Sequence, residues 1–132
     1  MSLITSMMIL IKINPGDEPE NLDEFIRYVN DYVRKHNNNQ CFTRVSKENL
    51  GMFDSWTLLC GDFNHFSPSI NKFAWFLFNE TPAICRIKSK VMLIVSNEHW
   101  EHMKTFYRVD YMKYENIVGC SDGMRILEDP GK

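Results

Sequence analysis

Alanine is nearly absent from this chain: two residues, Ala74 and Ala83, out of 132. Asn (12), Ile (11), Phe (9) and Met (8) stand in its place, the usage expected of an AT-rich genome such as that of a low-GC bacterium, its phage or an AT-rich virus. Glycine is sparse too. Six scattered glycines form neither a Walker loop nor a dinucleotide fingerprint, which excludes the common nucleotide-dependent enzymes. Four cysteines (Cys41, Cys60, Cys85, Cys120) stand alone, without a Cys-x-x-Cys pair, and so exclude a zinc ribbon or knuckle. No Gly-x-Ser-x-Gly elbow is present, and no cysteine has a histidine that sequence alone can pair with it. No apolar run reaches the roughly 18–20 residues of a membrane-spanning helix. The apolar stretch Leu3 to Leu10 has no basic flank before it and is cut by Lys12, unlike a signal peptide. Excess charge of either sign is missing as well: 15 Lys+Arg against 17 Asp+Glu, net -2, which fits neither a polycation nor a nucleic-acid mimic.

What is present suits one folded domain. With 44% apolar and 24% charged residues the composition is that of a globular protein, not a disordered one. Neither repeat nor linker divides it, so residues 1–132 read as a single α+β domain. Residues 1–3 read as vector-derived, with a natural start near Met7 or Met8, and 119–132 as a loosely ordered tail. The isolated cysteines with apolar neighbours read as reduced, mostly buried thiols of a cytoplasmic protein.

Patterning predicts the elements. Residues 4–13 are β-branched and apolar and read as a strand buried on at least one face, closed by the turn Asn14-Pro15-Gly16-Asp17. Asn21 with Glu24 three positions on resembles a capping box, and Leu22, Phe25, Ile26, Val29 and Val33 form a helical stripe. Basic residues 34–36 suit that helix's last turn, and Asn37-Asn38-Asn39 stops it. Strands follow at 41–45 and 52–60. Ser67-Pro68 reads as the cap and first residue of a helix that is apolar nearly all round, from Ile70 through Trp75 to Phe78. Next come a strand at 91–95, a long helix from about Glu98 to Tyr114, and a short strand near Met124 to Leu127. This order suggests a ferredoxin-like βαββαβ domain with an added C-terminal helix.

Three sets of residues carry possible chemistry. Gly61-Asp62-Phe63-Asn64 after an apolar strand resembles the corresponding segment of the endonuclease/exonuclease/phosphatase family, and the resemblance covers those four residues. It implies metal-assisted phosphodiester hydrolysis with Asp62 and Asn64 in the matching positions. The family's late Ser-Asp-His is represented by Ser121-Asp122-Gly123, without the histidine. A helix starting at Glu98 would place His99 and His102 on one face, where with Asp62 they could hold a metal, although His-Trp-Glu-His is not a zincin frame. The competing reading is an acidic first turn that complements the helix dipole.

Basic residues Arg86, Lys88 and Lys90 alternate on one side of an extended segment, and Lys104 and Arg108 interleave with aromatics on the expected last helix. Phosphate contact plus base stacking needs that combination. A charge-protected edge strand and a solvated helix face would look the same. The richest feature is aromatic and Met content, which suits interface cores. The chain therefore reads as a non-catalytic module that binds a protein partner or a second copy, with a homodimer the expected form and no cofactor. Trp75, Phe78, Trp100 and Tyr107 are its candidate anchors. RNA or single-stranded DNA binding through Arg86, Lys88, Lys90, Lys104 and Arg108 is the alternative, and a metal-dependent hydrolase or nuclease using Asp62, His99 and His102 is the next.

Overall fold

The computed structural model describes residues 3–12, 19–45, 56–80, 90–100, 103–108, 118–120 and 125–127. Strand β1 (Ile4–Lys12) is the hub of the sheet, antiparallel to β3 (Trp56–Asn64) on one side and to β4 (Lys90–Asn97) on the other. β2 (Thr43–Val45) adds to the free edge of β3. Beyond β4 the sheet continues as an antiparallel meander through β5 (Lys104–Arg108), β6 (Val118–Cys120) and β7 (Arg125–Leu127). The order is β2-β3-β1-β4-β5-β6-β7. With helix α1 (Pro19–His36) and the helical segment α2 (Ile70–Trp75, continuing as a π-helical stretch Phe76–Glu80), this is a single α+β domain.

Alternation along the strands decides which side chains meet the helices. β1 buries Thr5, Met7, Ile9 and Ile11, β3 buries Thr57, Leu59 and Phe63, and β4 buries Val91, Leu93 and Val95. These residues lie opposite one another in register, so they line one face of the sheet. Against that face α1 lays Leu22, Phe25, Val29 and Val33, and α2 lays Phe73, Ala74 and Leu77. Aromatic rings join the two helices: Tyr32 stacks on Phe76 at 3.8 Å between centroids, and Phe73 meets Phe42 and Phe66 at 6.0 and 5.2 Å.

Two asparagines pin the helices to the loops around them. Asn30 donates from Nδ2 to the Phe42 carbonyl and accepts at Oδ1 from the Phe42 N–H, at 3.2 and 2.8 Å. Asn37 donates to the carbonyls of Val33 and Ser67 and accepts from the Ser67 N–H, which ties the end of α1 to the approach to α2. Both are buried, and each satisfies main-chain groups that no ladder serves. Asn38 and Asn39 turn the chain with positive φ, a conformation asparagine tolerates, and the Asn39 N–H closes the helix on the Arg34 carbonyl.

Several boundaries differ from expectation. α1 begins at Pro19, two residues before the expected cap at Asn21, with proline at the first helical position. The cap of α2 is Ser69, whose hydroxyl accepts from the Lys72 N–H, rather than Ser67. β1 extends before Met7, with Thr5 buried and Ser6 bonded to Asp62.

The largest correction is the expected helix over 98–114. Its start is a turn, in which Asn97 Oδ1 accepts from the His99 N–H and the Asn97 carbonyl accepts from the Trp100 N–H. The chain then returns as β5, with Phe106 fully buried opposite Leu93. An Asn side chain can open a turn as readily as it caps a helix, and the sheet offers Phe106 more burial than a helix on its own would. Arg125–Leu127 forms a strand close to the expected one, and β6 joins it within the segment read as a loose tail.

Gly61 is required by close packing. A Cβ there would lie 2.7 Å from the Phe63 ring and 3.1 Å from that of Phe42. Both rings are buried and hold an edge-on contact at 5.1 Å, so neither can retreat cheaply. Gly61→Ala is expected to lower stability by about 1–3 kcal/mol through overpacking, measured as a shift in urea midpoint at unchanged m-value.

Candidate functional site

The second face of the sheet differs from the first. It carries Ile4, Ser6, Met8, Leu10 and Lys12 from β1, Trp56, Leu58, Cys60 and Asp62 from β3, Met92 and Ile94 from β4, and Tyr107 from β5. Neither described helix packs on it. The strand residues that share the buried core with the helices all belong to the opposite set. Met8 is 37% exposed and Ile4 42%, whereas Met7 and Ile9 beside them are 2% and 0% exposed. Met8, Leu10, Leu58, Met92 and Ile94 thus form an apolar band across three adjacent strands, an arrangement that marks contact surfaces.

At the β2 side of this face lies an open groove of about 560 Å³, lined by Ser6, Met8, Cys41, Thr43, Cys60 and Asp62. The Ser6 hydroxyl donates to Asp62 Oδ1 at 2.6 Å. Cys41 Sγ accepts from an Arg34 guanidinium N–H at 3.4 Å. Cys41 and Cys60 are free and half-buried rather than buried. Partial burial, and secondarily the Asp62 charge, push the Cys60 thiol above its ordinary pKa. It is therefore protonated at neutral pH and a poor nucleophile. A carboxylate beside a serine with no imidazole between them is too weak a base to activate the hydroxyl.

The Cys60 shift has a checkable sign. The folded state holds the proton more tightly than the unfolded chain, so stability is full below the unfolded thiol's pKa and declines as pH rises through the folded value. Alkylation of Cys60 by iodoacetamide at mildly alkaline pH is expected to be slower in the folded protein than in urea, and Asp62→Asn is expected to speed it. Peptide mass spectrometry reads both rates. Equal rates in folded and unfolded chains would contradict the shift.

Of the four expected anchors, Trp75 and Phe78 are corrected. They are 9% and 1% exposed and belong to the core, because the apolar circumference of α2 packs between the sheet, α1 and the chain around it. Trp100 is half-buried against the core, with Lys104 Nζ 4.3 Å from its ring centroid. Tyr107 stands on the open face, opposite Met92. It is the one expected anchor on the band.

The basic strip is described only in part. Arg86 and Lys88 lie outside the described residues. Lys90 holds the register position opposite Lys12, on the open-face series, whereas Lys104 stands opposite Val95, on the helix-covered series. Arg108 ends β5 in register with Val118. The helix expected to align Lys104, Arg108 and the aromatics is a strand.

For the metal set, His99 sits in the turn after β4 rather than in a helix, and His102 lies outside the described residues. Asp62 is in the strand and bonded to Ser6. Among the described residues no group of three or more His, Cys, Asp or Glu side chains is placed to hold a metal. Gly61-Asp62-Phe63-Asn64, expected to follow a strand, forms the last four residues of β3, with Phe63 buried.

The open face was missed as a site, yet it left a signal. Met7-Met8-Ile9-Leu10-Ile11 and Val91 to Val95 are apolar at both parities, and a strand apolar on both sides needs cover on both. Comparison with known protein families, with curated proteins and with solved structures finds no match. Among the described residues no helix is long and apolar enough to cross a membrane.

Proposed function

We infer that this chain is a small binding module that acts through protein–protein contact, with the open face of its sheet as the contact surface. The observation that carries this reading is the asymmetry of β1. One side of the strand is covered by two helices, and the other presents Met8 and Leu10 in an apolar band with Leu58, Met92 and Ile94. A band of this kind gains roughly 25 cal/mol for each Å² of apolar surface removed from water. Tyr107 at its β5 side supplies a rigid aromatic with a polar tip, a residue type enriched at interface centres.

A photo-crosslinking residue placed at Ile94, on the band, and at Lys35, on the exposed side of α1, tests the reading. Irradiation in the producing cell is expected to give defined protein adducts from position 94, abolished by an added Leu10→Lys, and none of comparable yield from position 35. Adducts from 35 alone, or adducts from 94 that Leu10→Lys leaves unchanged, would refute it.

A further inference from the structure

We propose that the occupant of the open face is a second copy of this chain, stacked face to face with its strands reversed about a two-fold axis. The proposal rests on the reading of that face as a contact surface and adds which partner it takes. The charge pattern carries it. Asp62 lies at one end of the face, beside Ser6. Lys12 lies at the other end, with its Nζ 6.0 Å from the Trp56 ring centroid and Lys90 opposite it in register. The stretch of β1 from Ser6 to Lys12 separates the two ends, about 20 Å at the rise of an extended strand. Between them the band is apolar.

Lys12 supplies positive charge at that end, and no carboxylate occupies the face there among the described residues. A two-fold contact is self-complementary: if residue i of one copy meets residue j of the other, then j meets i. An axis lying in the contact plane along the strands would set Asp62 on Asp62 and Lys12 on Lys12. An axis in that plane across the strands sets each Asp62 against the other copy's Lys12, twice, and stacks the apolar bands between these pairs. Only the second arrangement matches charge and burial together. The sheets would then lie about 10 Å apart, as in a sandwich.

Sedimentation velocity of the purified chain over a range of concentrations provides the test. The wild type is expected to reach a dimer. Lys12→Glu and Asp62→Lys are each expected to weaken it by about tenfold or more, since each places two like-charged pairs across the contact. Mixing these two variants is expected to restore dimers: where a Lys12→Glu chain meets an Asp62→Lys chain, both end pairs again join opposite charges. The mixture needs no further substitution, so it separates lost complementarity from lost folding. A wild type that stays monomeric at every concentration would overturn the proposal, as would single variants that dimerise as tightly as the wild type or a mixture that fails to pair. If the wild type is monomeric but position 94 still crosslinks another protein, self-pairing falls and the contact surface stands.

Discussion

Phe73→Ala is expected to cost about 3–5 kcal/mol, the range for truncating a fully buried phenylalanine. Phe73 has no exposed surface, and its ring lies among those of Tyr32, Phe42, Phe66 and Phe76 at centroid distances of 6.3, 6.0, 5.2 and 6.3 Å. These neighbours come from α1, the segment before β2, the loop before α2, and the helical stretch that continues α2. Removing the ring therefore opens a cavity where several segments meet, and none of them can close it alone. Domains of this kind have about 5–15 kcal/mol to lose. Urea unfolding followed by circular dichroism is expected to show a much lower midpoint. Phe73→Leu should recover a large part of the loss by refilling the volume, and recovery no better than with alanine would speak against the cavity account.

Asn30→Leu is expected to cost about 2–4 kcal/mol, because it strands both the N–H and the carbonyl of Phe42 in a buried place. The loss is chiefly of polar satisfaction, since leucine keeps asparagine's branched four-heavy-atom skeleton. Asn30→Asp separates the two bonds. A carboxylate still accepts from the Phe42 N–H, but it faces the Phe42 carbonyl without a proton to donate. That variant is expected to be less stable at neutral pH than in mild acid, where its protonated form can donate again. Parallel denaturation curves under the two conditions check the sign, after subtraction of the wild type's own change.

These two sites also show what the sequence discloses. The periodicity of Phe25, Val29 and Val33 marked α1, and the apolar β1 and β4 segments marked two strands, because burial of a repeating pattern is a local property. Asn30 was invisible as a clamp. Its partner is a main-chain group 12 residues away, and an asparagine in a helical stripe looks like one more polar residue. The turn at Asn97 was misread for a related reason. Local chemistry allowed a cap or a reversal, and the choice was made by the free edge of β4, which pairs with β5.

The site was half legible. Aromatic and Met richness pointed to a contact surface, but helical spacing directed attention to Trp75 and Phe78, which the core consumes. The open face lies on strands, where two apolar parities in β1 and β4 were the better sign. Tyr107 stands on the open face through a strand rather than the expected helix, at the parity opposite the buried Phe106.

Met7 and Met8 are adjacent in sequence and on opposite faces of the sheet, 2% and 37% exposed. Their oxidation by dilute peroxide, followed by peptide mass spectrometry at low and at high protein concentration, tests the central claim directly. Met7 is expected to resist at both concentrations, while Met8 oxidises readily in dilute solution and is protected in concentrated solution as the open faces meet. Met8 oxidising at the same rate at every concentration would contradict contact between open faces, and Met7 reacting as fast as Met8 would contradict the two-faced sheet itself.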